Sequence, residues 1–122
     1  MGTKKSLAET PDKVALFDKL IATIPEIERK GDTNPYTSYN GNMFTHLSAE
    51  GVLAIRLPEK ERNAFILKYK TRLNISYGVV RKEYVEVPDM LLNQTGELKK
   101  YLAISYAYVK TLKPKPTTKI KK

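Results

Sequence analysis

Apolar residues recur at three- and four-residue spacing near both ends of the chain, which is typical of amphipathic helices. The first stripe comprises Val14, Phe17, Leu20, Ile21 and Ile24. Pro25 disfavours helical backbone at the residue before it, so this helix is predicted to end at Ile24. Thr10-Pro11-Asp12 provides a cap, a first-turn proline and an acid that complements the helix dipole. The second stripe predicts a final helix from about Thr95 to Leu112.

A period of two residues in the middle of the chain predicts a β-hairpin. In Asn42–Ser48, one face comprises Met43, Thr45 and Leu47, and the other comprises Phe44 and His46. Val52–Leu57 alternates in the same way. The intervening turn contains Gly51, which can adopt positive φ.

The second half of the chain repeats helix and strand signals. Pro58 and the acids after it open a helix that ends near Lys70, and Thr71–Ser76 favours a strand or a loop. Val79–Val87 follows Gly78 as a strand, with Val79, Val85 and Val87 in phase and Val80 and Tyr84 opposite. Helical structure restarts at Pro88-Asp89.

The predicted fold class is α+β, with two layers in which helices pack on an antiparallel sheet in the order α-β-β-β-α-β-β-α. Residues 1–9 are predicted to form a flexible arm, 10–112 a single domain, and 113–122 a disordered lysine- and proline-rich tail.

A polar stretch separates the first helix from the hairpin. Glu26–Lys30 is weakly strand-like, and Gly31–Gly41 is rich in turn formers, which predicts a loop with a short extended piece at Tyr36–Tyr39. Because ordered loops carry function more often than scaffold does, this loop is a candidate partner site. Its residues are Pro35, Tyr36, Thr37, Ser38, Asn40 and Gly41.

The net charge of +9 in 122 residues belongs mostly to the two ends of the chain. Eight of the 22 basic residues lie before Ser6 or after Val109, and all 13 acids lie between these positions. The central part is therefore nearly neutral, and the high pI alone says little about its surface.

One internal segment is nevertheless basic and has no acid. It contains Arg62, Lys68, Lys70, Arg72, Arg81 and Lys82, interleaved with Phe65, Tyr69 and Tyr77. Such residues could neutralise phosphates and stack on bases, which makes the segment a candidate nucleic-acid face. In the alternative interpretation, Phe65 and Tyr69 belong to the core and the cations are solvated.

The sequence predicts no catalytic, cofactor or metal site. The chain has no cysteine and one histidine, His46, which we interpret as a packed or surface residue. The glycines occur singly rather than in a phosphate-binding cluster. No apolar run reaches the length of a signal peptide core or a membrane span, so a cytoplasmic location without membrane contact is expected.

Three strings resemble the N-terminal domain family of the TfoX/Sxy competence regulators. They are Asn40-Gly41-Asn42-Met43-Phe44, Ala54-Ile55-Arg56-Leu57-Pro58 and Glu83-Tyr84-Val85-Glu86-Val87-Pro88. The likeness extends from about Val14 to Leu112 and is strongest to short, standalone members. It implies an antiparallel sheet with packed helices, similar to secretion-chaperone folds, and a regulatory role without catalytic residues.

Two functions follow as hypotheses. The first is a non-enzymatic interaction module that binds a protein partner or a second copy through the sheet or the last helix. Tyr101, Tyr106 and Tyr108 cannot share one face of that helix, so one of them is expected to be exposed. The second is a nucleic-acid-binding accessory protein that uses the Arg62–Lys82 segment and the lysine tail.

Overall fold

The computed structural model describes residues 13–31, 34–76 and 78–114, and its first helix, α1, occupies residues 13–22 of that part. The buried side of α1 comprises Phe17, Leu20 and Ile21. The Ile24 N–H donates to the Ile21 carbonyl at 3.1 Å, and the chain then turns at Pro25, close to the predicted end. The predicted helix start at Thr10-Pro11-Asp12 lies outside the described residues.

Five strands form one antiparallel sheet. They are β1 (Tyr36–Tyr39), β2 (Asn42–Leu47), β3 (Leu53–Arg56), β4 (Leu73–Ser76) and β5 (Val79–Val87). The spatial order is β1-β2-β3-β5-β4, so that β1 and β4 are the edges. Gly51 has a φ of +84° in the turn between β2 and β3, as predicted.

The helices lie on one face of this sheet and enclose the core with it. Besides α1 they are α2 (Glu59–Tyr69), α3 (Asp89–Leu92) and α4 (Thr95–Lys110). Phe44, Ile55 and Val85 on the sheet, Phe65 on α2 and Leu102 on α4 are fully buried together. The predicted two-layer α+β fold and its order of elements are confirmed, with α3 as an additional short turn of helix.

The predicted strand character of Glu26–Lys30 is wrong, because this segment turns. Only Lys30 extends alongside the sheet, where its N–H and carbonyl bond to the carbonyl and N–H of Tyr36 at 2.8 and 2.9 Å. This bridge partly covers the outer side of β1.

A β-bulge in β2 changes which of its side chains enter the core. Thr37 pairs with Thr45 but the next residue of β1, Ser38, pairs with Met43, so that Phe44 is the extra residue. The bulge turns Phe44 and Thr45 toward the same side. Both are fully buried, and Met43 is half-buried on the opposite side. The predicted phase, with Met43 and Phe44 exchanged, is therefore wrong.

β5 is irregular in the same sense where it meets β4. Leu73 pairs with Val85 and the next residue, Asn74, pairs with Arg81, which leaves three residues of β5 without a partner in β4. The alternation of side chains is interrupted at this irregularity, so Val79 and Val85 lie on different faces. The predicted shared face of Val79 and Val85 is therefore wrong. Val85 is fully buried, whereas Val79 is 60% exposed.

Helix α4 packs closely on β2 because one of its core positions is small. Ser105 is fully buried, and its hydroxyl donates to the Phe44 carbonyl at 3.4 Å.

The expectation that a tyrosine of α4 is exposed is wrong. Tyr101 packs on Phe65, Tyr106 packs on Phe44, and the Tyr108 hydroxyl donates to Glu83. Long side chains that flank a buried stripe can fold down onto it, so all three are half-buried. Among the described residues, no helix is both long and apolar enough to cross a membrane.

Candidate binding surface at the edge of the sheet

The sheet face that points away from the helices contains a polar trough of about 700 Å³. Its walls come from β2, β4, β5 and the turn between β2 and β3. Its lining residues include Met43, His46, Arg72, Asn74, Ile75, Arg81 and Glu86. The trough therefore extends from the centre of the sheet to the edge strand β4.

Glu86 organises the end of the trough beside β4. One carboxylate oxygen accepts from Nε of Arg72 at 3.1 Å, and the other accepts from Nδ2 of Asn74 at 3.2 Å. The Glu86 N–H also donates to the Arg72 carbonyl at 3.0 Å. Asn74 is only 7% exposed, so this arrangement is built into the fold rather than formed by mobile surface groups.

Arg81 is the cation of the trough that these contacts do not neutralise. Its guanidinium carbon lies 4.9 Å from the centre of the Tyr84 ring, a cation–π distance. The Tyr84 hydroxyl donates to the Met43 carbonyl at 2.8 Å, which fixes the ring. No carboxylate of the described part of the chain lies within ion-pair distance of Arg81. Its charge is held in place and available to a ligand.

His46 is half-buried in the trough, in agreement with its interpretation as a packed or surface histidine. Burial lowers its pKa below the ordinary 6.5, the charge of Arg81 lowers it further, and Glu50 acts in the opposite direction. Within the described residues, no three histidine, aspartate or glutamate side chains are grouped to hold a metal ion.

The proton affinity of His46 gives a direct check of this geometry. NMR titration of its ring protons should give a pKa below 6.5 in the native protein. Arg81→Gln should raise that pKa, and Glu50→Gln should lower it. Because the folded state disfavours the protonated ring, stability should fall as the pH drops below 6.5 toward the native pKa. A pKa unchanged by Arg81→Gln would place Arg81 away from the ring.

Apolar side chains are exposed beside the trough, on the hairpin that joins β4 and β5. Ile75 is 44% exposed, Val80 is 48% exposed and Val79 is 60% exposed. Ile75 and Val80 are cross-strand partners and form one exposed patch, with side chains that alternation places on the face opposite Asn74 and Arg81. Ile75 also borders the trough, where its N–H lies 3.5 Å from a Glu86 oxygen. Within the described ranges no segment pairs with the outer side of β4. An edge strand of this kind presents backbone N–H and carbonyl groups to a partner.

The six residues of the predicted nucleic-acid face do not form one surface. Arg72 and Arg81 line the trough, whereas Lys68 and Lys70 line a separate hollow of about 390 Å³ beside Met90. The remaining two are Arg62, whose Nη1 donates to the Leu57 carbonyl at 3.1 Å, and the exposed Lys82. The segment passes through a helix, two strands and their connections, so its residues separate in space.

The aromatic residues of that segment are engaged in the fold. Phe65 is fully buried, and its ring lies 4.7 Å from that of Tyr69. The Tyr69 hydroxyl donates to Glu97, which also accepts from Lys68 at 3.4 Å. Burial and then the hydrogen bond to Glu97 raise the pKa of Tyr69. The interpretation of Phe65 as a core residue is confirmed, and Tyr77 lies outside the described residues.

In the predicted partner loop, the extended piece expected at Tyr36–Tyr39 is the strand β1, and a tight turn follows it. Pro35 is buried, and the Thr37 hydroxyl lies 2.6 Å from that of Thr45 in the core. Asn40 and Gly41 form the turn to β2, both with positive φ. The stretch is rich in turn formers, but four residues suffice for a strand when β2 supplies the hydrogen bonds.

Another charged group, at the opposite end of the sheet face from the hairpin, is satisfied internally. Arg56 donates to Glu83 at 2.6 Å and to the Met43 carbonyl at 3.3 Å. Burial alone would raise the pKa of Glu83, but its contacts with Arg56 and the Tyr108 hydroxyl outweigh burial and hold it below the ordinary range. The charge of Arg56 is thus neutralised by Glu83, whereas no carboxylate of the described residues pairs with Arg81.

Comparison of the chain with protein-family models, curated proteins and solved structures found no match. Its function is therefore inferred from its own residues.

Proposed function

We propose that this chain is a non-enzymatic interaction module, of the TfoX N-terminal type, that binds an extended segment of a partner protein along the outer side of β4. An antiparallel sheet with packed helices is the fold that this resemblance implies. The observation that carries the proposal is an edge strand, β4, whose outer side no described segment pairs with, together with the exposed apolar pair Ile75 and Val80. A bound strand takes affinity from backbone hydrogen bonds and specificity from adjoining side-chain sites.

The contrast between the two edges supports the choice of β4. Lys30 already occupies backbone groups of Tyr36 on β1, whereas β4 contacts mainly its one neighbour, β5. The last helix is the weaker candidate because its tyrosines are engaged in internal contacts.

A peptide library and a matched pair of variants test the proposal. Random 12-residue peptides displayed on phage are selected on the immobilised full-length protein, and single peptides are then titrated by NMR. We expect amide shifts concentrated in residues 72–81. Ile75→Lys together with Val80→Lys should weaken binding about tenfold or more, because edge lysines oppose strand addition.

The control carries the same change on a different apolar surface. Leu67 is 79% exposed and Met90 is 75% exposed, so Leu67→Lys with Met90→Lys should leave peptide affinity within about twofold. Shifts that map to α4 or to β1, or a loss of affinity in the control variant equal to that in the β4 variant, would refute the proposed surface.

Nucleic-acid binding is the competing outcome, and the same protein tests it. Single- and double-stranded DNA and RNA are titrated at two salt concentrations. Sequence-independent binding that disappears at the higher salt would indicate counterion release from the nucleic acid on contact with lysine side chains. Binding that persists at the higher salt and is weakened by Lys70→Glu or Arg72→Glu would favour the nucleic-acid function over a protein segment.

A further inference from the structure

We propose that the trough beside β4 binds a carboxylate side chain of the partner segment, so that the preferred partner is an extended segment with apolar residues on one face and acidic residues on the other. This inference rests on the proposed function, because it assigns the side-chain specificity of the same edge.

Side chains alternate along β4, so that one face of the strand is polar and the other is apolar. Asn74 faces the trough and pairs with Arg81, whereas alternation places the side chain of Ile75 on the other face with its partner Val80. Ile75 borders the trough, where its N–H donates to a Glu86 oxygen at 3.5 Å. A segment added to β4 would follow the same alternation, because neighbouring strands share one pleat. One set of its side chains would therefore meet apolar groups, and the other set would meet the polar trough.

The charge available on the trough side is positive. Glu86 is already engaged by Arg72 and Asn74, at 3.1 and 3.2 Å. Arg81 has no carboxylate within ion-pair distance in the described part of the chain. Glu50, the other acid of the trough, lies in the turn between β2 and β3, and two strands separate it from β4. An incoming carboxylate at the β4 end would thus approach Arg81 and the outer nitrogens of Arg72.

The same charges argue against a second copy of this chain as the occupant. Antiparallel pairing of β4 with its own copy would bring Lys70, Arg72 and Arg81 of one protein close to those of the other. Like charges across an interface disfavour such a pairing. The net charge of +9 acts in the same direction.

Three synthetic peptides test the carboxylate site. Each has seven residues with blocked ends, valine at the odd positions, and glutamate, glutamine or lysine at the even positions. Affinity for the full-length protein is measured by NMR titration at 150 mM salt. We expect the glutamate peptide to bind about tenfold more tightly than the glutamine peptide, since hydrogen bonds to charged groups contribute that much, and the lysine peptide to bind most weakly.

A pair of neighbouring variants locates the site. Arg81→Gln should remove most of the tenfold preference for glutamate over glutamine. Lys82→Gln removes the same charge from the next residue, which does not line the trough, and should change the preference less than twofold. Equal effects of the two variants would mean general electrostatic attraction and would overturn the site.

The remaining outcomes separate this inference from the function on which it rests. Glutamate and glutamine peptides that bind equally well at residues 72–81 would overturn the carboxylate site and leave the β4 edge as the interaction surface. Binding by none of the three peptides, with no peptide selected from the library, would overturn both. A dimer detected by light scattering and abolished by Ile75→Lys would identify a second copy as the occupant and refute the acidic partner.

Discussion

Replacing Phe44 with alanine is expected to lower the free energy of unfolding by about 3–5 kcal/mol, the range for a fully buried aromatic residue. Phe44 is 0% exposed, and its ring stacks on that of Tyr106 at 5.6 Å. Its backbone carbonyl also accepts from Ser105. Truncation would leave a cavity between the sheet and α4, where both sides are fixed by these contacts. Urea unfolding followed by circular dichroism measures the change.

The adjacent residue is the control, because the bulge in β2 predicts a strong asymmetry. Met43 is half-buried on the opposite side of the sheet, so Met43→Ala should cost only about 1 kcal/mol. Regular alternation from the sequence predicts the reverse order, with Met43 in the core. A larger loss for Met43→Ala than for Phe44→Ala would therefore contradict the bulge itself.

Replacing Gly31 with alanine is expected to cost about 2–4 kcal/mol, which combines a strained backbone with a steric clash. Gly31 has a φ of +82°, and an added Cβ would clash with the Asn34 carbonyl oxygen. Backbone cannot move aside as the end of a long side chain can. The clash would also disturb the neighbouring bridge between Lys30 and Tyr36.

Gly78 is the control that separates the cost of backbone strain from the cost of the steric clash. Its φ of +75° imposes a similar conformational penalty, but an added Cβ would have no heavy atom within 4 Å. Gly78→Ala should therefore cost only about 1 kcal/mol. Thermal unfolding of both variants gives the difference, and equal losses would show that strain alone matters at Gly31.

The order of elements could be predicted from the sequence because it depends on local signals. Gly51 marks the turn of the central hairpin, Pro25 marks the end of the first helix, and Pro88 precedes the return to helix. These residues restrict their own φ and ψ, so their effect does not depend on tertiary contacts.

The faces of the strands could not be predicted as well. A single extra residue at Phe44 inverts the parity of β2, and the irregularity between Arg81 and Val85 inverts that of β5. Whether a bulge forms depends on the register with a neighbouring strand, which is a long-range property.

The candidate site could be predicted only in part from the sequence, for the same reason. Arg72 and Arg81 stand out as cations in an acid-free segment. Their separation from Lys68 depends on the path of the chain, and the pairing of Asn74 with Glu86 joins residues from two strands. The one local signal for the exposed patch is the apolar pair Val79-Val80 directly after a glycine, which places apolar side chains on both faces of a strand end.

The bridge between Lys30 and Tyr36 has a consequence for the valency of the protein. If both edges were open, β1 of one copy could add to β4 of the next, and this heterologous contact would repeat into a filament. Because the bridge occupies the backbone groups of Tyr36, it hinders strand addition at the β1 edge. If a partner segment binds at β4 as proposed, the expected assembly is a one-to-one complex, and the same contact opposes growth of fibres at high concentration.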